Sequence, residues 1–497
     1  MGLKVFIAKR FAYYIARQVK RESAAALLYQ NNWFNKIIKA AGQTSFGIDH
    51  KFAEIKTYED FKANVPLRDY EGLRSYIEKV VAGEKDILWP GKPLYFAKTS
   101  GTTSGVKYIP ISKESIGSHI NSARNALLLY IAETGNANFL NGKLIFLSGS
   151  PEMEKKNGVF TGRLSGIVNH HVPGYLRSNQ LPSYATNCIE DWEQKVSRIT
   201  DETIQEDMRL ISGIPPWVQM YFDLIKQRSG KSIQEVFPNF QLFVYGGVNF
   251  EPYRAKIEES IGRKIATIET YPASEGFIAY QDTQTEDGLL LLVNNGLFYE
   301  FIPTDTFYNE TPTRLSLTEI ELDVNYAIVL TSNAGLYAYV IGDTVKFVSK
   351  DPYRIKVTGR VKHFISAFGE HVIGEEVEHA LLSVANAKGI RIVEFTVAPQ
   401  VNPIEGGLPY HEWFVSFENV PADLEAFVLE VDKALQMKNI YYQDLIQGGI
   451  LRTLKMNAMP ADAFIKYMKS QGKLGGQNKV PRLSNDRKIA DVLAAIV

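Results

Sequence analysis

Ala97-Lys-Thr-Ser-Gly-Thr-Thr-Ser-Gly-Val-Lys-Tyr-Ile-Pro110 holds more chemistry per residue than any other stretch of this chain. It follows a strand-like run at Leu94–Ala97. Thr99, Ser100, Thr102, Thr103 and Ser104 supply hydroxyls. Gly101 and Gly105 let backbone N–H groups approach an anion, and Lys98 and Lys107 add positive charge. Donors of these kinds make a phosphate cradle by composition. The plain alternative is a Ser/Gly-rich surface turn. A Walker A loop is disfavoured: counting from Gly101, that pattern needs Gly where Val106 stands and Ser or Thr where Tyr108 stands.

Upstream, the first 90 residues read as helices and loops, with a capping-box pattern at Thr57-Tyr-Glu-Asp60. Downstream, strand patterns at Leu144–Ser148, Leu242–Tyr245, Lys264–Thr270, Leu289–Val293, Leu297–Ile302, Ile328–Thr331 and Thr344–Val348 alternate with helical ones. The helical patterns are Ser112–Thr134, Trp192–Ile211, Pro216–Arg228 and Pro252–Ile261. Strands separated by helices of this length predict an α/β domain, a mixed or parallel sheet covered by helices. After Gly359 the texture changes. Helices at Gly374–Ala387, Leu424–Ala434, near Gln443 and at Ala461–Lys469 accompany strands at Arg391–Ala398 and Glu412–Glu418. The expected division is a large domain over 1–360 and a small α+β domain over 361–497.

The 497 residues carry 55 Lys plus Arg and 55 Asp plus Glu, so the formal net charge is zero. Non-specific nucleic-acid binding needs a positive surplus, so that class is disfavoured. The single cysteine, Cys188, excludes an intrachain disulfide and fits a reducing compartment. No apolar run approaches the ~18 residues of a membrane span. Lys9, Arg10 and Arg17 interrupt the first twenty residues, and Phe6 breaks the myristoylation pattern. That segment reads as an amphipathic helix, with packing on the chain's own core favoured over attachment to a membrane surface. The expected setting is cytoplasmic.

Three further stretches carry polar groups at strand ends. Glu269-Thr-Tyr-Pro-Ala-Ser-Glu-Gly276 closes a strand with Tyr271, Ser274 and Glu275. In open α/β sheets, functional groups collect at such ends. One carboxylate plus substrate phosphates can hold Mg²⁺. Leu336-Tyr-Ala-Tyr-Val-Ile-Gly-Asp-Thr344 leads a strand into Gly342-Asp343. There a carboxylate can cap backbone N–H groups, or accept both hydroxyls of a ribose through its two oxygens. Near the end, Gln477-Asn-Lys-Val-Pro-Arg482 sets Lys479 beside a proline, and Lys488 follows. His170-His171 lack acids at zinc-ligand spacing. Glu375, Glu376, Glu378 and His379 read as a solvated helix face.

In this order, the stretches resemble the adenylate-forming superfamily of acyl-CoA synthetases, luciferases and peptide-synthetase adenylation domains. They are most similar to the Gretchen Hagen family of auxin-responsive acyl acid amido synthetases. That family's loop, roughly Ser-Ser-Gly-Thr-(Ser/Thr)-(Ser/Gly)-Gly, corresponds to Thr99–Gly105. The resemblance implies that Thr99, Ser100, Gly101, Thr102, Thr103, Ser104, Gly105 and Lys107 hold ATP phosphates. It implies that Tyr271 and Ser274 hold the nucleotide, that Glu275 binds Mg²⁺, and that Asp343 and Arg360 hold ribose. Val340 stands where the family usually has Arg, and Asn478 replaces an aromatic residue. Lys362 falls at the hinge before a mobile C-terminal domain. Lys479 is the implied catalytic lysine and Lys488 the second candidate. Arg124 is placed to meet an acyl carboxylate.

The implied function is an ATP-dependent ligase that adenylates a carboxylic acid and passes the acyl group to an amine, expected to be an amino acid. A thioester ligase and a non-catalytic nucleotide-binding scaffold are the alternatives.

Overall fold

The computed structural model describes residues 3–100, 106–172, 174–247, 250–361, 364–365, 370, 372–401, 403, 406–447, 450–472, 474, 480–484 and 486–496. Two compact units emerge. One comprises 1–248 and 257–357; the other comprises 249–256 and 358–497.

The larger unit is built on an eleven-stranded sheet. Its parallel half runs β6 (Gln180–Leu181), β3 (Lys143–Phe146), β7 (Met208–Ser212), β8 (Leu242–Gly246) and β9 (Ala266–Ala273). From β9 the sheet continues antiparallel through β10 (Gly276–Tyr280) and β11 (Leu289–Leu291) to β15 (Tyr353–Arg360). It ends with β14 (Tyr339–Lys350), β13 (Asn325–Ser332) and β12 (Leu297–Pro303). A separate four-stranded sheet has the order β2 (Val106–Ile111), β1 (Tyr95–Ser100), β5 (Val159–Gly162) and β4 (Glu154–Lys156). The α/β expectation therefore holds.

The helix expected over 192–211 stops at Thr203, and Met208–Ser212 forms strand β7 in the middle of the parallel half. Apolar Met208, Leu210 and Ile211 are buried, and such a short run fits strand and helix templates equally well.

Two long helices cover one face of the parallel half. The helix Leu3–Ala24 buries Val5, Ala12, Ile15 and Val19 against Leu144, Leu210, Leu242 and Ile268 of the sheet. Full burial of one such Val or Ile is worth roughly 1.5–3 kcal/mol. The helix Lys113–Thr134 joins this core through Ala126, Leu129 and Ile131. It begins at a capping box in which Ser112 accepts from the Ser115 N–H. The Ser112 hydroxyl also donates to the Asn333 carbonyl at 2.8 Å, which pins the helix start to the end of β13.

The antiparallel half is locked to the N-terminal helices by polar contacts. Buried Gln30 donates to the carbonyls of Val293 and Leu297 at 2.9 and 3.0 Å and accepts from the Tyr299 N–H at 2.9 Å. Arg314 and Glu300 form a buried pair at 2.7 Å, to which Tyr58 adds a hydroxyl at 3.0 Å. The Thr57–Asp60 capping box is realised at the start of the helix that carries Tyr58.

The smaller unit is α+β. Strands β18 (Ile392–Gln400), β19 (Tyr410–Phe417) and β20 (Lys455–Met459) form one sheet; β16 (Phe364–Ile365) and β17 (Val372–Ile373) form a two-stranded ribbon. The helices Gly374–Ala387 and Leu424–Lys438 pack on Phe395, Val397, Trp413 and Val415.

Candidate nucleotide and acyl-substrate site

β1 and β2 pair without a break from Tyr95↔Ile111 to Ser100↔Val106, so residues 101–105 join the two paired ends. Gly101, Thr102, Thr103, Ser104 and Gly105 lie outside the described residues. Thr99 stands opposite Lys107, and directly opposed residues share a face of the sheet. The Lys107 ammonium lies 5.4 Å from the centre of the Tyr70 ring. The Tyr70 hydroxyl accepts from the Tyr108 N–H at 2.9 Å, fixing the ring beside the loop. Lys98, on the opposite face, is held in an ion pair by Glu154.

The second element is the β9–β10 hairpin, whose tip carries Ser274 and Glu275, both partly exposed. Gly246 at the end of β8 packs so closely that a Cβ would stand 2.3 Å from the Thr270 carbonyl oxygen. One residue further on, Tyr271 is buried and donates its hydroxyl to Asp343 at 2.8 Å.

Asp343 is aimed there by a bulge. Across β13 and β14, Ala327 pairs with Thr344 and Val329 with Val340, so Ile328 alone faces Ile341, Gly342 and Asp343. Extra residues in one strand bend it and redirect a side chain. Gly342 makes this possible, because its φ of 88° lies in the left-handed region that a Cβ disfavours.

Arg360 is the exposed last residue of β15 and belongs to the smaller unit; Lys362 lies outside the described residues. Lys479 does also, but Pro481-Arg482 just after it is held firmly within that unit. The Pro481 carbonyl accepts from the Thr396 hydroxyl at 2.7 Å, and the Arg482 carbonyl accepts from the Val397 N–H at 2.9 Å. The Arg482 guanidinium donates to Glu378 at 2.9 Å, pairs with Glu394, and stacks 4.6 Å from the Phe395 ring centre. Lys488, in contrast, opens the last helix with its side chain 82% exposed, 3.6 Å from Asp486.

Three family descriptions match along the chain. "GH3 family N-terminal domain" matches residues 16–180 and 153–265, "GH3 family central domain" 290–360 and "GH3 family C-terminal domain" 375–488. The chain belongs to the GH3 family. Among its relatives is the jasmonoyl–L-amino acid synthetase JAR4 of Nicotiana attenuata, 24% identical over 64% of this chain and 66% of that protein. Two further jasmonoyl–amino acid synthetases are matched over 61% and 62% of their lengths, so the matched part falls short of two thirds of these relatives. Among solved structures, a GH3.15 acyl acid amido synthetase superposes with a TM-score of 0.79 at 15% identity, covering 97% of this chain and 96% of that one. A 2-hydroxyisobutyryl-CoA ligase in complex with an acyl-AMP superposes with a TM-score of 0.61 at 13% identity, covering 93% and 90%. The GH3 chain thus shares the fold of that synthetase and that ligase.

The structure gives partners to several residues that the sequence of this GH3 chain singled out. The Arg124 guanidinium bonds Asn125 at 3.0 Å and lies 5.3 Å from the Phe11 ring centre, so it engages the N-terminal helix. Glu376 and Glu378 do not form a solvated face. Glu376 accepts from the Ile373 N–H and from Asn439, burial raises its pKa, and Glu378 grips Arg482. The spacing of these acids along the helix carried no signal of that partner, which is 104 residues away. Burial pushes the Cys188 thiol up, which suppresses the thiolate that a covalent role requires. His170 and His171 bond the Pro151 carbonyl and the Tyr95 hydroxyl.

Sequence reasoning also passed over Lys195. Its ammonium is buried at the carboxyl end of β3, donating to the carbonyls of Ser148 and Asn187 at 2.8 and 2.6 Å. Desolvation, helped by Arg163, lowers its pKa to about 8. Among the described residues, no group of three His, Cys, Asp or Glu side chains could hold a metal, and no helix is long and apolar enough to cross a membrane. The donor set at the hairpin tip fits an ion carried in on phosphates, which needs only one or two protein carboxylates.

Proposed function

We propose that this protein is an AMP-forming acid–amine ligase acting in the cytoplasm. An oxygen of a carboxylic acid attacks the α-phosphorus of ATP and expels pyrophosphate. An amine, most simply an amino acid, then attacks the acyl carbon, and AMP and a proton leave. The observation that carries this reading is the Tyr271–Asp343 hydrogen bond, which ties together two motifs separated by 72 residues.

In this reading the loop 99–107, with Lys107, binds the phosphates. Asp343 and Arg360 orient the ribose, and Tyr271 and Ser274 hold the nucleotide. Glu275 would hold Mg²⁺, which supplies charge neutralisation on the phosphates. Lys479 stabilises the charge that develops at the α-phosphate, presented by the anchored Pro481-Arg482. We further propose the functional division 1–360 and 361–497, with Lys362 as the hinge about which the smaller part turns between half-reactions. Most of the catalysis then comes from positioning and fixed charge.

The test is acid-dependent ATP–pyrophosphate exchange over a panel of acids, followed by product analysis with amino acids. Exchange with an amide product supports the reading; nucleotide binding without exchange for any acid overturns it in favour of a scaffold. A thioester ligase is the second reading, favoured by the superposition on the 2-hydroxyisobutyryl-CoA ligase. Supplying coenzyme A in place of amino acids separates the two.

A further inference from the structure

The helix Leu3–Ala24 has two faces, and its packing uses only one. Opposite the buried stripe, Phe6, Ile7, Tyr13 and Tyr14 are 49%, 57%, 52% and 60% exposed. At about 100° per residue, these four share an arc of roughly 120° with Arg10, Arg17 and Arg21. The helix contains six basic residues, Lys4, Lys9, Arg10, Arg17, Lys20 and Arg21, and one acid, Glu22, within a chain of zero formal net charge.

Glu22 is turned inward, bonded to Gln18 and Asn294 at 2.8 and 3.0 Å. Among the described residues, no carboxylate pairs with Arg10, Arg17 or Arg21. The Arg10 guanidinium lies 5.5 Å from the Phe6 ring centre, and Arg21 caps the Arg17 carbonyl at 3.4 Å. Leu27 and Leu28, 45% and 60% exposed, extend the apolar surface onto the next helix.

We propose that this face docks the protein on an anionic lipid surface. Aromatic and aliphatic side chains would enter the headgroup layer, and the arginines would meet lipid phosphates and carboxylates. The charge pattern selects this occupant. A second copy of the chain, related by a twofold axis, would bring the same cations face to face. A nucleic acid would match the cations but leave Ile7, Leu27 and Leu28 without bases to stack on.

The test is flotation of the full chain with phosphatidylcholine vesicles and with vesicles that also contain phosphatidylserine, at low and high salt. Binding is expected only to the anionic vesicles and to fall with salt. The triple variant Arg10→Glu, Arg17→Glu, Arg21→Glu should weaken it by about a hundredfold or more. Phe6→Ser with Tyr14→Ser should weaken it too. All these side chains point away from the core, so thermal stability and pyrophosphate exchange should match the parent chain. Equal binding to neutral vesicles, no binding to either, or full binding by the charge-reversed chain overturns the proposal. So does dimerisation through this face, or capture of RNA in preference to vesicles.

Discussion

The Tyr271 hydroxyl meets the Asp343 carboxylate at 2.8 Å, although β9 and β14 are separated by β10, β11 and β15. Four inter-strand steps would set two strands about 19 Å apart in a flat sheet. A direct hydrogen bond therefore requires the antiparallel half to coil back toward the parallel half. The bulge at Ile341–Asp343 supplies the final reorientation.

Tyr271→Phe removes the donor and leaves the ring in place. A hydrogen bond to a charged group is worth about 1.5 kcal/mol, so the KM for ATP in pyrophosphate exchange should rise roughly tenfold. A double-mutant cycle with Asp343→Asn should show strong non-additivity. Additive effects would mean that the bond does not shape the nucleotide site.

Lys479→Ala should slow adenylation by roughly 10²–10³-fold, the scale for one preorganised donor. Lys488→Ala should leave it near normal, because that ammonium is solvated. Single-turnover measurement of AMP formation distinguishes them, and the reverse ranking would move the catalytic role to Lys488.

Glu300→Ala strands the Arg314 charge in the interior beside Tyr58. Removing one member of a buried pair costs about 3–5 kcal/mol. Urea denaturation should show a loss of that size, and Glu300→Leu with Arg314→Met should recover part of it. An unchanged midpoint for Glu300→Ala would show that the pair adds nothing.

His119 is buried in the helix after the loop, and desolvation lowers its pKa to about 4. The unfolded chain, with an ordinary histidine pKa near 6.5, binds the proton first as pH falls. Stability is therefore at its full level above about 6.5 and declines toward 4, by up to about 3 kcal/mol. His119→Leu should flatten the curve in that window. Identical pH profiles for parent and variant would contradict it.

The sequence alone was enough to place the Ser274–Glu275 tip and most element spans, whereas the turn expected at Gly342-Asp343 is a bulge inside β14. The tip and the spans are set by local chemistry: small residues, hydroxyls and alternating apolar side chains act within a few positions of one another. Strand β7 was lost to a helix because five residues are too few for a period to declare itself. The partners of Arg482, Glu378 and Arg124 were hidden because a charged side chain does not encode which distant group it will meet. Only the tertiary structure decided that Tyr271 reaches Asp343 and which sheet residues the N-terminal helix covers. Those outcomes depend on the curvature of the sheet and the packing of helices on it, which arise once the whole apolar core closes.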